Sequence, residues 1–278
     1  MAADGYELID AGDGRRLERF GERVADRPAP GAIEPRHEPA SWPDTDLRFD
    51  RAGGWTGASA AVEPWTIPFE GLTFELRPTD AGQVGLFPEQ ATNWRWMRER
   101  LVERGDDRQA ATVLHLFAYT GGATLMAAAA GASVIHVDAA RSAIGWAKRN
   151  AELSGVAGRP IRWIVDDAEA FVRREARRGH RYAGIVLDPP SYGHGKGGRT
   201  WRLDDRLDEL LASCREVATD DAFVVLTAHT EGIDGAALGE RLGRAFGPNR
   251  PIETLELRLT ATSGASLWLG SCARMMQP

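Results

Sequence analysis

Cysteine is almost missing from this 278-residue chain: Cys214 and Cys272 are the two, far apart and outside any CxxC or Cys/His cluster. That excludes a disulfide-stapled scaffold and a thiolate zinc site, and it points to a reducing compartment, the cytoplasm. Long apolar runs are missing as well. No stretch approaches the roughly 18 residues that a membrane span needs, so no membrane partner is expected. The opening Met1-Ala2-Ala3-Asp4-Gly5 has neither a basic n-region nor an apolar run, so no secretory signal is expected. Positive charge is not in excess either: 34 Lys and Arg face 40 Asp and Glu, for a net −6 and a pI of about 5.6. A domain that grips nucleic acid through phosphates alone is usually basic. A local basic strip still suffices for a few phosphates, whereas tight non-specific binding is disfavoured. No bound metal is expected. The remaining composition, 43% hydrophobic and 27% charged, is that of a globular protein. The length holds one large α/β domain, or a catalytic domain with a smaller companion.

The first stretch differs from the rest. Tyr6 to Asp10 and Arg16 to Phe20 are short alternating runs around the turn signal Ala11-Gly12-Asp13-Gly14, which predicts a β-hairpin. Pro28, Pro30, Pro35, Pro39 and Pro43 then punctuate an irregular segment, because proline fixes φ and lacks a donor. Trp65 to Pro68 and Leu72 to Leu76 predict a second hairpin, and Pro88 to Arg104 a helix. Residues 1–80 are therefore expected to form a small β-rich region, with a catalytic domain over 81–278. From Ala111 onward, strand-length apolar runs alternate with amphipathic stretches. Strands are expected at 112–117, 133–138, 161–166, 182–188, 221–228, 252–259 and 266–272, with helices between the first six. Only a polar turn separates the last two, so they form an antiparallel hairpin. This is α/β architecture: a Rossmann-like seven-stranded sheet with a reversed last strand.

The carboxyl ends of these strands carry the chemistry, since ligands of open α/β sheets bind there. The first expected strand runs into Phe117-Ala118-Tyr119-Thr120-Gly121-Gly122, where glycine lets the backbone approach a ligand and a helix N-terminus favours a carboxylate. The second ends at Asp138, placed to accept from ribose hydroxyls or to cap the following helix. The third delivers Asp166 and Asp167, of which Asp167, just before a helix, suits an adenine amine. The fourth ends Asp188-Pro189-Pro190-Ser191-Tyr192. Two prolines stop the ladder and turn carbonyls outward, which suits the N–H groups of a planar amine while an aromatic ring stacks on its face.

Together these segments resemble the S-adenosylmethionine (SAM)-dependent methyltransferases, within them the family of large-subunit ribosomal RNA cytosine-C5 and guanine-N7 methyltransferases. Gly85-Leu86-Phe87-Pro88-Glu89-Gln90 sits where those enzymes carry a segment that folds over the donor. Tyr6 to Asp10 and Arg16 to Phe20 are similar to uncharacterised bacterial members. The resemblance implies SAM as methyl donor and S-adenosylhomocysteine (SAH) as product. It implies a donor pocket of Phe87, Gln90, Phe117, Tyr119, Thr120, Gly121, Asp138, Asp167 and Asp188. Three departures stand out. His115 replaces the acid many methyltransferases carry in the first strand, no PUA-like RNA-binding domain is expected ahead of the β-rich region, and the fifth strand ends Leu226-Thr227-Ala228-His229-Thr230 where the C5 enzymes carry a nucleophilic cysteine.

Methylating cytosine C5 requires a thiolate to add to the ring first. Cys214, mid-helix, and Cys272, near the end of the last strand, are both expected in the core, away from the double-proline edge. Nitrogen or oxygen acceptors need only in-line positioning and loss of one proton. The expected reaction is therefore N-methylation of an RNA base, with ribosomal RNA as partner. Asp188, Pro189 and Pro190 orient the acceptor, and Tyr192 stacks on it. His229 serves as a base or is simply bonded at a strand end. In the following loop, His194, Lys196, Arg199 and Arg202 either contact substrate phosphates or sit on a solvated loop. The acidic charge keeps a small-molecule N- or O-methyltransferase open as an alternative, and a non-catalytic nucleotide-binding protein on the same fold as another. Monomer and homodimer are both compatible with the sequence.

Overall fold

The structure, a computed structural model, describes residues 5–57, 63–105, 111–194 and 200–276. The chain divides into two compact units, residues 1–91 with 257–269, and residues 92–256 with 270–278. The division falls later than the boundary at 80 expected from sequence, and it assigns the tip of the last hairpin to the first unit.

In the first unit, β1 (Tyr6–Gly12), β2 (Arg15–Phe20), β3 (Arg23–Pro28), β4 (Leu47–Asp50) and β5 (Gly54–Thr56) form one sheet in that order. β6 (Trp65–Phe69) and β7 (Leu72–Leu76) form a separate antiparallel hairpin. Both hairpins expected from sequence are present, while β3, β4 and β5 were hidden by their brevity and by neighbouring prolines. Between them, the proline-rich segment is ordered by the fully buried Asp10 instead of a backbone ladder. Its carboxylate accepts from the Glu38 amide (3.0 Å), Trp42 Nε1 (2.8 Å) and Ser263 Oγ (2.7 Å). Burial raises the Asp10 carboxyl, and these donors outweigh it, so the group lies below its ordinary range. A second buried carboxylate, Glu18, accepts from Arg27 Nε at 2.8 Å and Tyr6 Oη at 3.1 Å.

After α1 (Ala91–Glu103), the second unit runs β8 (Thr112–Leu116), α2 (Gly122–Ala129), β9 (Ser133–Asp138), α3 (Arg141–Leu153), β10 (Ile161–Val165), α4 (Ala168–Arg177) and β11 (Tyr182–Leu187). A short hairpin, β12 (Tyr192–His194) and β13 (Thr200–Arg202), precedes α5 (Leu203–Val217), β14 (Ala218–Ala228), α6 (Gly235–Phe246), β15 (Ile252–Thr260) and β16 (Ser266–Met275). The large sheet has the order β10-β9-β8-β11-β14-β16-β15. Its first five strands are parallel, and β16 enters antiparallel to β14. All six residues of β11 are buried, as expected of a parallel strand covered by helices on both faces. Its Gly184 faces the Phe223 ring of β14, where a Cβ would fall only 2.2 Å from the ring. The sheet reverses its winding between β8 and β11, the place where such folds bind ligands.

Candidate active site

The loop after β8 departs sharply from ordinary backbone. Phe117 (φ 54°) and Tyr119 (φ 45°) both occupy the left-handed region, which costs bulky residues energy and persists only where surroundings enforce it. The enforcing contacts are visible. The Ala118 amide donates to the Val137 carbonyl (3.1 Å), and the Tyr119 amide donates to Asp138 Oδ2 (2.8 Å). Asn150 Nδ2 donates to the Thr120 carbonyl at 3.0 Å. Gly121 (φ 91°) then turns the chain into α2. At Gly122 a Cβ would lie 2.1 Å from the Trp94 ring, so no side chain fits there.

Asp138, half-buried at the tip of β9, accepts from the Tyr119 amide and, through Oδ1, from the Ala140 amide at 2.8 Å. One in-plane lone pair on each oxygen remains for hydroxyl donors. Asp167 caps α4 by accepting from the Ala170 amide at 2.9 Å, and Asp166 is held by Arg174. The carboxyl ends of β9 and β10, beside the strained loop of β8, thus present acids and exposed backbone together. That donor set fits a nucleoside with a vicinal diol.

Across β8, Asp188 follows β11. The parallel register that pairs Leu187 with Leu226 sets Asp188 beside Thr227 of β14. Thr227 Oγ1 donates to Asp188 Oδ1 at 2.5 Å, and His229 Nε2 lies 3.2 Å and 3.3 Å from the two carboxylate oxygens. Burial pushes the Asp188 carboxyl up. The positive field and hydrogen bond of His229, with the Thr227 bond, more than offset that and hold it below the ordinary carboxylate range. Gly270 makes room, since a Cβ there would sit 3.0 Å from His229 Nδ1.

A sequence model of S-adenosylmethionine-dependent methyltransferases matches residues 11–221. The chain belongs to that family. The methyltransferase is 37% identical to a SAM-dependent methyltransferase from Agrobacterium tumefaciens, with a TM-score of 0.91 over 99% of this chain and 91% of that one. It shares the fold, at 17% identity and a TM-score of 0.75, with SMU.776 complexed with SAH, over 99% of this chain and 76% of that one. Among curated proteins it is 36% identical over 129 residues to ribosomal RNA large subunit methyltransferase K/L of Magnetococcus marinus, covering 46% of this chain and 16% of that protein. With the corresponding Shewanella amazonensis protein the match is 32% over 164 residues, 56% of this chain and 21% of that one. The chain therefore spans only a minor part of those proteins. The donor of the methyltransferase is SAM.

Within the methyltransferase, Phe117, Tyr119, Thr120, Gly121 and Asp138 come together, with Asp167 at the next strand end. Phe87 and Gln90 belong to the first unit, next to and within a short 3-10 turn at Pro88–Gln90. Lys196 and Arg199 lie outside the described residues, as does the side chain of His194. Arg202 pairs across the hairpin with Tyr192, its guanidinium 5.8 Å from the ring centroid, and Tyr192 is 68% exposed. The double-proline edge differs from expectation at one carbonyl: Trp201 Nε1 donates to the Pro190 oxygen at 2.6 Å, occupying one of its lone pairs. Trp201 also packs on Phe117, with ring centroids 5.4 Å apart, linking the double-proline edge to the loop after β8. The placement of Cys272 also needs correcting. The β14–β16 register sets it opposite Thr227, one strand from Asp188 and not remote from it. It is fully buried and its Sγ donates to Asn93 (3.2 Å); burial pushes its thiol up to about 12, as it does that of Cys214. Both are protonated near neutral pH and serve as core residues.

His115 takes part in an arrangement that sequence reasoning did not foresee. Its Nδ1 lies 2.8 Å from Thr124 Oγ1, which lies 2.9 Å from His136 Nδ1, and all three side chains are buried. One hydroxyl donates to one ring and accepts from the other, so the tautomers of the two histidines are tied together. His136 Nε2 has no hydrogen-bond partner among the described residues. Burial pushes His115 down to about 4 despite the field of Asp188, and burial with His115 pushes His136 well below its ordinary range. The unfolded chain binds protons that the folded chain refuses. Stability is therefore full above the unfolded value, about 6.5, and falls with pH toward 4. His115 alone contributes about 3 kcal/mol across that window. Urea unfolding from pH 7 to pH 4 is expected to show this loss, with a shallower slope in His115→Asn. An unchanged slope in the variant would refute the assignment.

Proposed function

We propose that the methyltransferase modifies a base of ribosomal RNA at a nitrogen, in the cytoplasm. The observation that carries this reading is the acceptor corner: an Asp188 carboxylate held by Thr227 and His229 beside two prolines, with the nearest thiol, Cys272, buried and protonated. The names of the curated relatives support ribosomal RNA as the substrate class. SAM supplies an electrophilic methyl group, so the protein has to position a nucleophile and accept a proton. Asp188, kept below its ordinary range, acts as a hydrogen-bond acceptor first and a base second, which suits one N–H of an amine. Pro189 and Pro190 hold the backbone rigid, and Tyr192 offers an exposed ring for the base face. Phe87, Gln90, Phe117, Tyr119, Thr120, Gly121, Asp138 and Asp167 are assigned to the donor, with Asp138 at the ribose. His229 orients Asp188 and holds it ionised, and Asp188 takes up the proton after transfer, when the methylated nitrogen is acidic. His194, Lys196, Arg199 and Arg202 are assigned to substrate phosphates.

Methyl incorporation from radiolabelled SAM into ribosomal RNA of a deletion strain, followed by nucleoside mass spectrometry, tests the reading. An N-methylated nucleoside is expected. Appearance of 5-methylcytidine would overturn the nitrogen assignment, and labelling of small molecules without RNA would overturn the substrate class.

A further inference from the structure

At the rim of the large sheet opposite Asp138 and Asp188 lies an open cavity of about 480 Å³. Its wall includes Thr112, Ser133, Ile161 and Tyr182, the first residues of β8, β9, β10 and β11. These strands are parallel, so the cavity faces the amino ends while the donor loop crowns the carboxyl ends. Strands of five or six residues separate the rims by roughly 17–20 Å.

The charge around this cavity is unlike that on the neighbouring helices. There, guanidiniums are matched to carboxylates: Arg173 and Arg206 to Glu169 at 2.6 and 2.5 Å, and Arg241 to Asp204 at 3.0 Å. Arg159, Arg162 and Arg181, which line the cavity, are exposed and make no ion pair among the described residues; Arg181 donates only to the His180 carbonyl. The carboxylate in the wall, Glu175, is already engaged by Tyr182 Oη (2.7 Å), His180 Nδ1 (2.5 Å) and Arg178 (3.0 Å). Burial raises that carboxyl, and these donors outweigh it, so Glu175 stays ionised with its charge consumed. Three uncompensated guanidiniums gathered at one cavity, on a chain of net charge −6, repel one another and form a local positive focus. Their planar forks match phosphate oxygens in pairs, and the Thr112 and Ser133 hydroxyls add neutral donors in the same wall.

We propose that this amino-edge cavity binds backbone phosphates of the RNA substrate, through Arg159, Arg162 and Arg181, on the far side of the sheet from methyl transfer. The site rests on the RNA reading above. It provides the local basic strip that the acidic composition does not supply overall, and it positions RNA without reading bases.

The test is fluorescence anisotropy of a labelled single-stranded ribosomal RNA fragment on the full chain, with inorganic pyrophosphate and SAH titrated in parallel by calorimetry. In the triple variant Arg159→Ala, Arg162→Ala, Arg181→Ala, RNA affinity at low salt is expected to fall about tenfold or more. The dependence of log affinity on log salt should shallow by about 2, at roughly 0.7 for each phosphate no longer neutralised. SAH affinity is expected to stay unchanged, which shows that the variant is folded. Equal RNA affinity in variant and wild type overturns the cavity assignment and leaves the RNA reading standing. Absence of RNA binding by the wild type overturns both. If pyrophosphate binding is then lost in the variant, the cavity belongs to a free phosphate compound instead.

Discussion

Replacing Asp138 with alanine is expected to weaken SAH binding about 100-fold, close to 3 kcal/mol, from the loss of charge-assisted bonds to a diol. Two costs add in this variant. The ligand hydroxyls lose their acceptor, and the amides of Tyr119 and Ala140, now bonded to Oδ2 and Oδ1 at 2.8 Å, lose theirs. The second cost acts on the loop itself. Phe117 and Tyr119 hold left-handed backbone only because neighbouring bonds enforce it, so freeing the Tyr119 amide loosens the turn that faces the ligand. Asp138→Asn, which keeps one acceptor oxygen, is expected to recover part of the affinity. Calorimetric titration with SAH reads both effects, and urea unfolding of the ligand-free variants separates them from loss of fold. Affinity within threefold of wild type in Asp138→Ala would remove Asp138 from the donor site.

The larger expected effect is catalytic. Asp188→Ala is expected to lower kcat by about a thousandfold, near 4 kcal/mol, the scale seen when a transition-state hydrogen-bond partner is removed. SAH affinity should fall far less, because Asp188 lies across β8 from Asp138. The pH profile carries the finer test. Activity needs the ionised carboxylate, so it is lost as pH falls through the Asp188 value. The field and hydrogen bond of His229 are the largest influences lowering that value. In His229→Ala the acidic limb should therefore move to higher pH, and in Thr227→Val it should move the same way by less. A His229 that acted only as a base, with no hold on Asp188, would leave the acidic limb in place and lower the plateau instead. A kcat within tenfold of wild type in Asp188→Ala would move the acceptor site elsewhere.

Several of these features are legible in the order of amino acids alone. The runs of β8, β9 and β11 are mostly buried strands, β10 at the sheet edge is only partly covered, and each is followed or closed by a residue that breaks the pattern: Phe117 before glycines, Asp138, Asp166 and Asp188. Local chemistry was enough to place Cys214 in the middle of a helix, α5 (Leu203–Val217). The first unit was less legible. β3, β4 and β5 are short, and the segment between them is held by Asp10 through partners as distant as Ser263, a contact no local pattern encodes.

At the site the division is sharper. The sequence by itself determined which groups stand at strand ends, because hydrophobic period and turn chemistry act within a few residues. Only the tertiary structure decided that Thr227 and His229 flank Asp188, that Trp201 bridges Phe117 and Pro190, and that His115 and His136 share the Thr124 hydroxyl. Those meetings depend on strand order and register. A shift of a single residue between β11 and β14 would turn Thr227 to the other face of the sheet, and no local signal records which register the packed core selects.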